Sequence, residues 1–203
     1  MKGYSAVWLL SALVLTAMVS GCAVREQRPD GAWLEERQEW FELYPIWRVN
    51  GRLAVSDGER GGQLAFDWHS EGGQHEVRLR TVAGGKQWRL LFNEHGALLE
   101  GSDVGLIRGP DADFLVAEAV GWPIPVHRLA YWLRGLPFKL DEQVTYASDG
   151  TMQSIVGDSW SLEYQRYHQP SSGPLMPQRV EAQSANYQVR MLLRGWRWMD
   201  PGA

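Results

Sequence analysis

Trp47-Arg48-Val49-Asn50-Gly51-Arg52-Leu53-Ala54-Val55 changes character at every residue, and this alternation decides the fold. Trp47, Val49, Gly51, Leu53 and Val55 fall on one side of an extended chain; Arg48, Asn50, Arg52 and Ala54 fall on the other. A period of two marks a strand with one face on a core and one in water. The period returns at Leu64, Phe66 and Trp68, at Val77 and Leu79, and at Trp88, Leu90 and Phe92. Gly72-Gly73 and Gly84-Gly85 separate these runs, and Asn93-Glu94-His95-Gly96 leads into another short strand from Ala97 to Glu100. Short strands joined by glycine-rich turns predict an antiparallel meander.

On either side of this block the period changes. From Trp33 to Tyr44 the spacing is helical: Trp33, Arg37, Trp40 and Tyr44 share a face, Leu34 and Phe41 lie beside it, and Pro45 ends the segment. Asp111 can cap a helix running to Val120. Gly121-Trp122-Pro123-Ile124-Pro125 is a bent connector, and Val126 to Arg134 is helical again, with Gly135 as its stop. Strand patterns resume at 143–146, 153–156, 160–167, 178–184 and 187–196, with Asp149-Gly150 as a hairpin signal. The expected fold class is α+β, one antiparallel sheet with inserted helices.

The N-terminal end has a different logic. Lys2, an apolar run from Val7 to Val19 and Ser20-Gly21 read as an export signal, too short for a comfortable membrane span. Cys22, the only cysteine, follows directly. This arrangement resembles the lipobox of bacterial lipoproteins, which implies a diacylglyceryl thioether on Cys22 and cleavage before it. An ordinary export signal with a chance cysteine is the other reading. A lone cysteine fits lipidation because exported proteins usually pair their structural cysteines. The expected organisation is therefore a signal at 1–21, an acylated cysteine and polar tether at 22–32, and a single domain at 33–203. Loss of residues 1–21, which hold Lys2 and no acidic residue, takes the formal charge from −4 to −5. A mildly acidic chain without a long basic run makes a nucleic-acid partner unexpected.

Catalysis finds little support. The five histidines (His69, His75, His95, His127 and His168) form no two-histidine metal spacing and read as solvated side chains. There is no GxSxG elbow, and Gly58-Glu59-Arg60-Gly61-Gly62 is a hairpin loop rather than a phosphate cradle. Asp111 and Asp113 read as a helix start. No enzyme activity, cofactor or metal is expected. The unusual feature is the eleven tryptophans. Trp68, Trp88, Trp132, Trp160 and Trp196 lie on apolar faces of expected strands and helices. They can form a bulky core, or the wall of an apolar cavity for acyl chains or sugar rings. The nearly apolar inner faces favour acyl chains; a lipid-anchored glycan-binding module is the alternative.

The order of features resembles the LolB family of outer-membrane lipoprotein receptors. The matching pieces are the lipobox at Cys22, the run from Trp47 to Val55, and Phe66-Asp67-Trp68. Further on come Gly121-Trp122-Pro123-Ile124-Pro125, then Leu129, Trp132, Leu133, Arg134, Gly135, Leu136 and Pro137. Trp160 with Tyr164, Leu175-Met176-Pro177 and Trp196 complete the set. The resemblance implies an incomplete antiparallel β-barrel whose concave, apolar side is covered by helices. It implies a monomer anchored by lipid to the periplasmic face of the outer membrane, which takes acylated lipoprotein cargo from the carrier LolA and inserts it. Trp68, Trp132, Trp160 and Trp196 correspond to tryptophans near the family's cavity; Phe66, Trp88, Leu90, Tyr164 and Met191 are expected beside them. The family's membrane-inserting loop corresponds to Thr81-Val82-Ala83-Gly84-Gly85, with Val82 and Ala83 where a leucine is expected.

Overall fold

The computed structural model describes residues 31–199; Cys22, the signal and most of the tether lie outside them. Helix α1 (Ala32–Leu43) precedes six strands: β1 (Ile46–Ser56), β2 (Gly61–Glu71), β3 (Gln74–Thr81), β4 (Gln87–Asn93), β5 (Gly96–Gly101) and β6 (Gly105–Gly109). Two helices follow, α2 (Ala112–Val120) and α3 (Val126–Trp132). Five strands complete the chain: β7 (Gln143–Tyr146), β8 (Met152–Val156), β9 (Ser161–His168), β10 (Met176–Gln183) and β11 (Gln188–Met199). Among the described residues no helix is long and apolar enough to cross a membrane.

All eleven strands form one antiparallel sheet in the order β6-β5-β4-β3-β2-β1-β11-β10-β9-β8-β7. Every neighbour is also a neighbour in sequence except β1 and β11, whose pairing runs from Ile46–Met199 to Ser56–Gln188. The two edges, β6 and β7, are therefore consecutive along the chain. The segment joining them must travel from one edge to the other, and it does so over the concave face. Helix α2 packs on β4, β5 and β6, while the connector and α3 reach Leu53 of β1 and Met191 of β11 in the middle of the sheet. The fold is an incomplete barrel covered on its apolar side, α+β as expected.

The helix ends follow local chemistry. The Asp111 carboxylate accepts from the backbone N–H groups of Asp113 (2.9 Å) and Phe114 (3.3 Å), capping α2. Gly121, at φ 80°, takes the left-handed conformation that ends it. In α1, Trp33, Arg37 and Phe41 are buried at a spacing of four.

Three local features depart from the sequence pattern. Gly105–Gly109 forms an edge strand that its five residues did not announce. Trp160 precedes β9 rather than starting it. In β11 the inward parity changes. Val189, Met191 and Leu193 point to the core, then Trp196 does. The β1 register shifts between Arg48 and Asn50, so Gly195 and Trp196 together oppose Val49. Gly195 has φ 59°, the left-handed residue of a β-bulge. The bulge returns Trp196 to the inner face.

Gly51 sits where β1 crosses this seam. A Cβ there would lie 2.3 Å from the Leu192 carbonyl oxygen and 2.8 Å from the Phe66 ring. Gly51→Ala should lower stability by about 1–3 kcal/mol through overpacking. A denaturant titration with a lower midpoint and unchanged slope is the expected result.

Candidate functional site

Helix α3 and the turn after it present three faces. Val126, Leu129 and Leu133 point into the sheet and, with Ile124 of the connector, close over Leu53, Phe66, Trp68, Val77, Leu79 and Met191. The space left is about 20 Å³, and every lining residue is apolar. Trp132 is fully buried on a second face. Its ring meets Trp160 at 5.8 Å, and its carbonyl accepts from the Tyr164 hydroxyl at 3.1 Å. His127, Ala130, Tyr131 and Arg134, at helical spacing, form the third face. They line an open cleft of about 560 Å³ whose other walls include Phe41, Trp47, His75 and Phe92.

Trp68 is the partition between void and cleft. It lines the void and packs against Trp47 (6.3 Å), His75 (5.8 Å) and Phe92 (5.9 Å), which line the cleft. Its indole N–H donates to His75 Nδ1 at 3.2 Å. Burial, then the charges of Arg134 and His127, push His75 down to about 4, so the ring is neutral at physiological pH and free to accept. The expectation of solvated histidines is thus corrected for His75, which stacks on Phe92 at 4.6 Å. It is corrected also for His127, whose backbone N–H and ring meet Asp113 at 3.1 and 3.0 Å. The Asp113 hydrogen bond raises His127 against the opposing effect of its burial. Asp111, Asp113 and His127 stand close enough to hold an ion, but caps and this pairing already engage them.

The expected site residues fall into separate groups. Phe66, Trp68 and Met191 line the void. Trp132, Trp160 and Tyr164 cluster on the far side of α3. Trp196 joins Trp47 at 5.6 Å and Phe41 at 6.4 Å. Leu90 is fully buried in β4, and Trp88 donates its indole N–H to Asp103 at 3.1 Å beyond the void. Val82 and Ala83 stand at an exposed hairpin tip, Val82 being 51% exposed. Sequence reasoning missed the cleft, including Phe41, Trp47 and Arg134. The available signal was the 127–130–131–134 spacing, which sets an arginine on one line with aromatic and small residues.

Comparisons with known proteins bear on the chain as a whole. The family described as Outer membrane lipoprotein LolB matches residues 45–196. An outer-membrane lipoprotein LolB from Tolumonas auensis is 28% identical over 185 residues, covering 91% of this chain and 92% of its own. Another, from Xanthomonas axonopodis pv. citri, is 32% identical over 184 residues, covering 87% and 85%. Among solved structures, a LolA superfamily protein from Nitrosomonas europaea matches with a TM-score of 0.51. It covers 83% of this chain and 94% of that one at 11% identity, a likeness of fold.

His75 gives the site a pH signature. Its folded value lies below the ordinary 6.5, so the unfolded chain binds the extra proton. The contribution to stability is full above about 6.5 and is lost as pH falls toward about 4. His127, raised by its partner, contributes in the opposite sense, and its share is lost as pH rises through its folded value. His75→Gln keeps an acceptor for Trp68 and removes the titration. Its thermal midpoint should fall less than that of wild type between pH 7 and 4.5.

Proposed function

Because this chain belongs to the Outer membrane lipoprotein LolB family, we propose that it accepts acylated lipoproteins from the periplasmic carrier LolA and places them in the outer membrane. It acts there as a lipid-anchored protein on the periplasmic face, through Cys22, and by holding cargo rather than by covalent chemistry. An acylated protein cannot cross water unshielded, since each methylene left in water costs about 0.8 kcal/mol. The receptor must offer a dry surface and then release the chains to lipid.

The observation that carries the reading is the void under α3, lined only by apolar side chains. Sugar sites bring acids and amides together around aromatic platforms; this wall has none. At about 20 Å³ the void has room for about one water, so chains enter only as Ile124, Val126, Leu129 and Leu133 move away. Those side chains are chemically close to what replaces them. Phe66, Trp68 and Met191 would meet the chains first. Trp88, Leu90, Trp132, Trp160, Tyr164 and Trp196 back this wall. The Val82-Ala83 tip is the segment proposed to enter the bilayer during release.

The direct test mixes the carrier, loaded with labelled acylated lipoprotein, with this protein and vesicles. Cargo moving first to this protein and then to lipid is the expected result; cargo staying on the carrier overturns the reading. Trp68→Glu should weaken capture at least tenfold, because a buried unpaired carboxylate is costly and wets the chain path. The same change at exposed Leu106 should leave capture near wild type, with circular dichroism confirming that both variants fold. Val82→Glu should leave capture intact and slow delivery to vesicles, because charge resists the apolar layer. Equal delivery would remove the tip from the mechanism.

A further inference from the structure

Among the described residues four arginines lie over aromatic rings; Arg60 and Arg128 are paired with Asp57 and Glu142, and the other two, Arg37 and Arg134, differ in how their terminal nitrogens are used. Arg37 is buried, lies 3.6 Å over the Trp33 ring, and donates from its terminal nitrogens to the Arg134 carbonyl (3.0 Å), Met176 Sδ (3.2 Å) and the Leu175 carbonyl. It is a clamp with both terminal nitrogens in use. Arg134 is held as firmly. Its Nε donates to the Ala130 carbonyl at 2.7 Å, and its guanidinium lies 5.0 Å from Tyr131, 5.1 Å from Phe41 and 5.9 Å from Trp47. Among the described residues no carboxylate pairs with it, and its two Nη groups make no hydrogen bond. They face the cleft. Burial lowers Arg134 only to about 10, so the group remains cationic at neutral pH.

A fixed cation with open donors, caged by rings at the mouth of a cavity, is built for an oxygen acceptor. The position says which one. Leu133 faces the void and Arg134, the next residue, faces the cleft, with Trp68 as the partition. A ligand whose chains pass Trp68 into the void leaves at Arg134 the atoms that join those chains to its head. In an acylated lipoprotein these are the ester carbonyls of the glyceryl group and the amide carbonyl of the acylated cysteine.

We propose that Arg134 is a cargo-recognition residue whose guanidinium binds the glyceryl ester and amide carbonyls of the acylated lipoprotein while the chains occupy the apolar side. This deepens the reading above and rests on it. The cleft thereby recognises the junction of chain and peptide, which every acylated cargo shares, rather than the protein that follows.

The experiment compares three probes on the full acylated chain. They are a diacylglyceryl-cysteine peptide, its diether analogue, which lacks the ester carbonyls, and a diacyl phospholipid of equal chain length. Wild type should bind the diester peptide about tenfold tighter than the diether. Arg134→Leu should bind both peptides alike, at the diether level, and Arg134→Lys should recover part of the preference. A merely structural arginine would lower both affinities together, so equal losses overturn the proposal, as does a wild type that binds diester and diether equally. The wild-type comparison stands even if Arg134→Leu fails to fold. A phospholipid that binds tighter than the peptide, with the difference lost in Arg134→Leu, makes the ligand a phosphate and overturns the proposal as well. Failure of wild type to bind any acylated probe removes the reading of function along with it; tight but indiscriminate binding removes this inference alone.

Discussion

The pairing of β1 with β11 is the contact on which the rest of the molecule depends. Ten residues of β1, from Ile46 to Ser56, find partners in β11, and this is the only junction in the sheet between strands distant in sequence. Placing the first and last strands side by side puts the edges of the sheet in the middle of the chain. The break in the barrel then falls between β6 and β7. The residues between those strands have no strand to pair with, and their apolar stripes must be buried somewhere. The concave face is the nearest apolar surface. The cover is thus a consequence of where the barrel is left open. Gly51 and the bulge at Gly195 both sit on this seam, the first allowing close approach of β11 and Phe66, the second setting the direction of Trp196.

On the proposed function, a site for acyl chains that is full of its own side chains has a definite thermodynamic advantage. An empty apolar cavity large enough for several chains would forfeit dispersion contacts throughout its lining and destabilise the fold. Filling it with Ile124, Leu129 and Leu133 avoids that loss. Exchange of these side chains for methylene chains would then replace one apolar contact by another, so that most of the apolar area buried before cargo arrives would be buried afterwards. Opening is offset by occupancy, and release to lipid is offset by reclosure. Trp68 is suited to stand at this boundary because its N–H is satisfied by His75, so the ring can offer apolar surface on one side without an unpaired donor.

Much of this was legible in the sequence, and the exceptions share a cause. Periods of two and 3.6 placed α1, β1–β5 and α2, because each of those segments buries one face and leaves the other in water. β6 escaped notice because Gly105-Leu106-Ile107-Arg108-Gly109 is too short to show a period. Trp196 was expected on an apolar face and is buried there, but the bulge against β1 that brings it inward was not legible, since the alternation through Leu193 alone would turn it outward. Phe66, Trp68 and Met191, expected close together, line one apolar void. The cleft was invisible because its members come from α1, β1, β3, β4 and α3, and no local pattern joins them. The difference between Arg37 and Arg134 was hidden for a related reason. An arginine among tryptophans looks like a polar residue on a mixed helix face, and only the structure separates the one whose terminal nitrogens are used from the one whose terminal nitrogens are open.

The two ends of α3 are fastened unequally, and this bears on how the cover opens. At its C-terminal end the Trp132 carbonyl accepts from Tyr164, the Arg134 carbonyl from Arg37, and the Gly135 carbonyl from the Trp33 indole at 3.2 Å. Three side chains from α1 and β9 therefore hold one turn of backbone. At its N-terminal end His127 is tied to Asp113 of α2, which belongs to the same cover, and a single ion pair, Arg128 to Glu142 at 3.4 Å, leads outside it, with a longer Arg128 contact to Ser159 at 3.5 Å. What holds α2 and the connector to the sheet is largely apolar contact, such as Leu115 under Gly109 and Trp122 against Gly62. Apolar contacts are the ones acyl chains can replace; hydrogen bonds to buried carbonyls are not. On the proposed function, the least costly displacement lifts α2, the connector and the first turn of α3 at the expense of the Arg128–Glu142 ion pair, while the turn carrying Arg134 stays pinned by three hydrogen bonds. The guanidinium then holds its place at the mouth as the space behind Trp68 changes its contents.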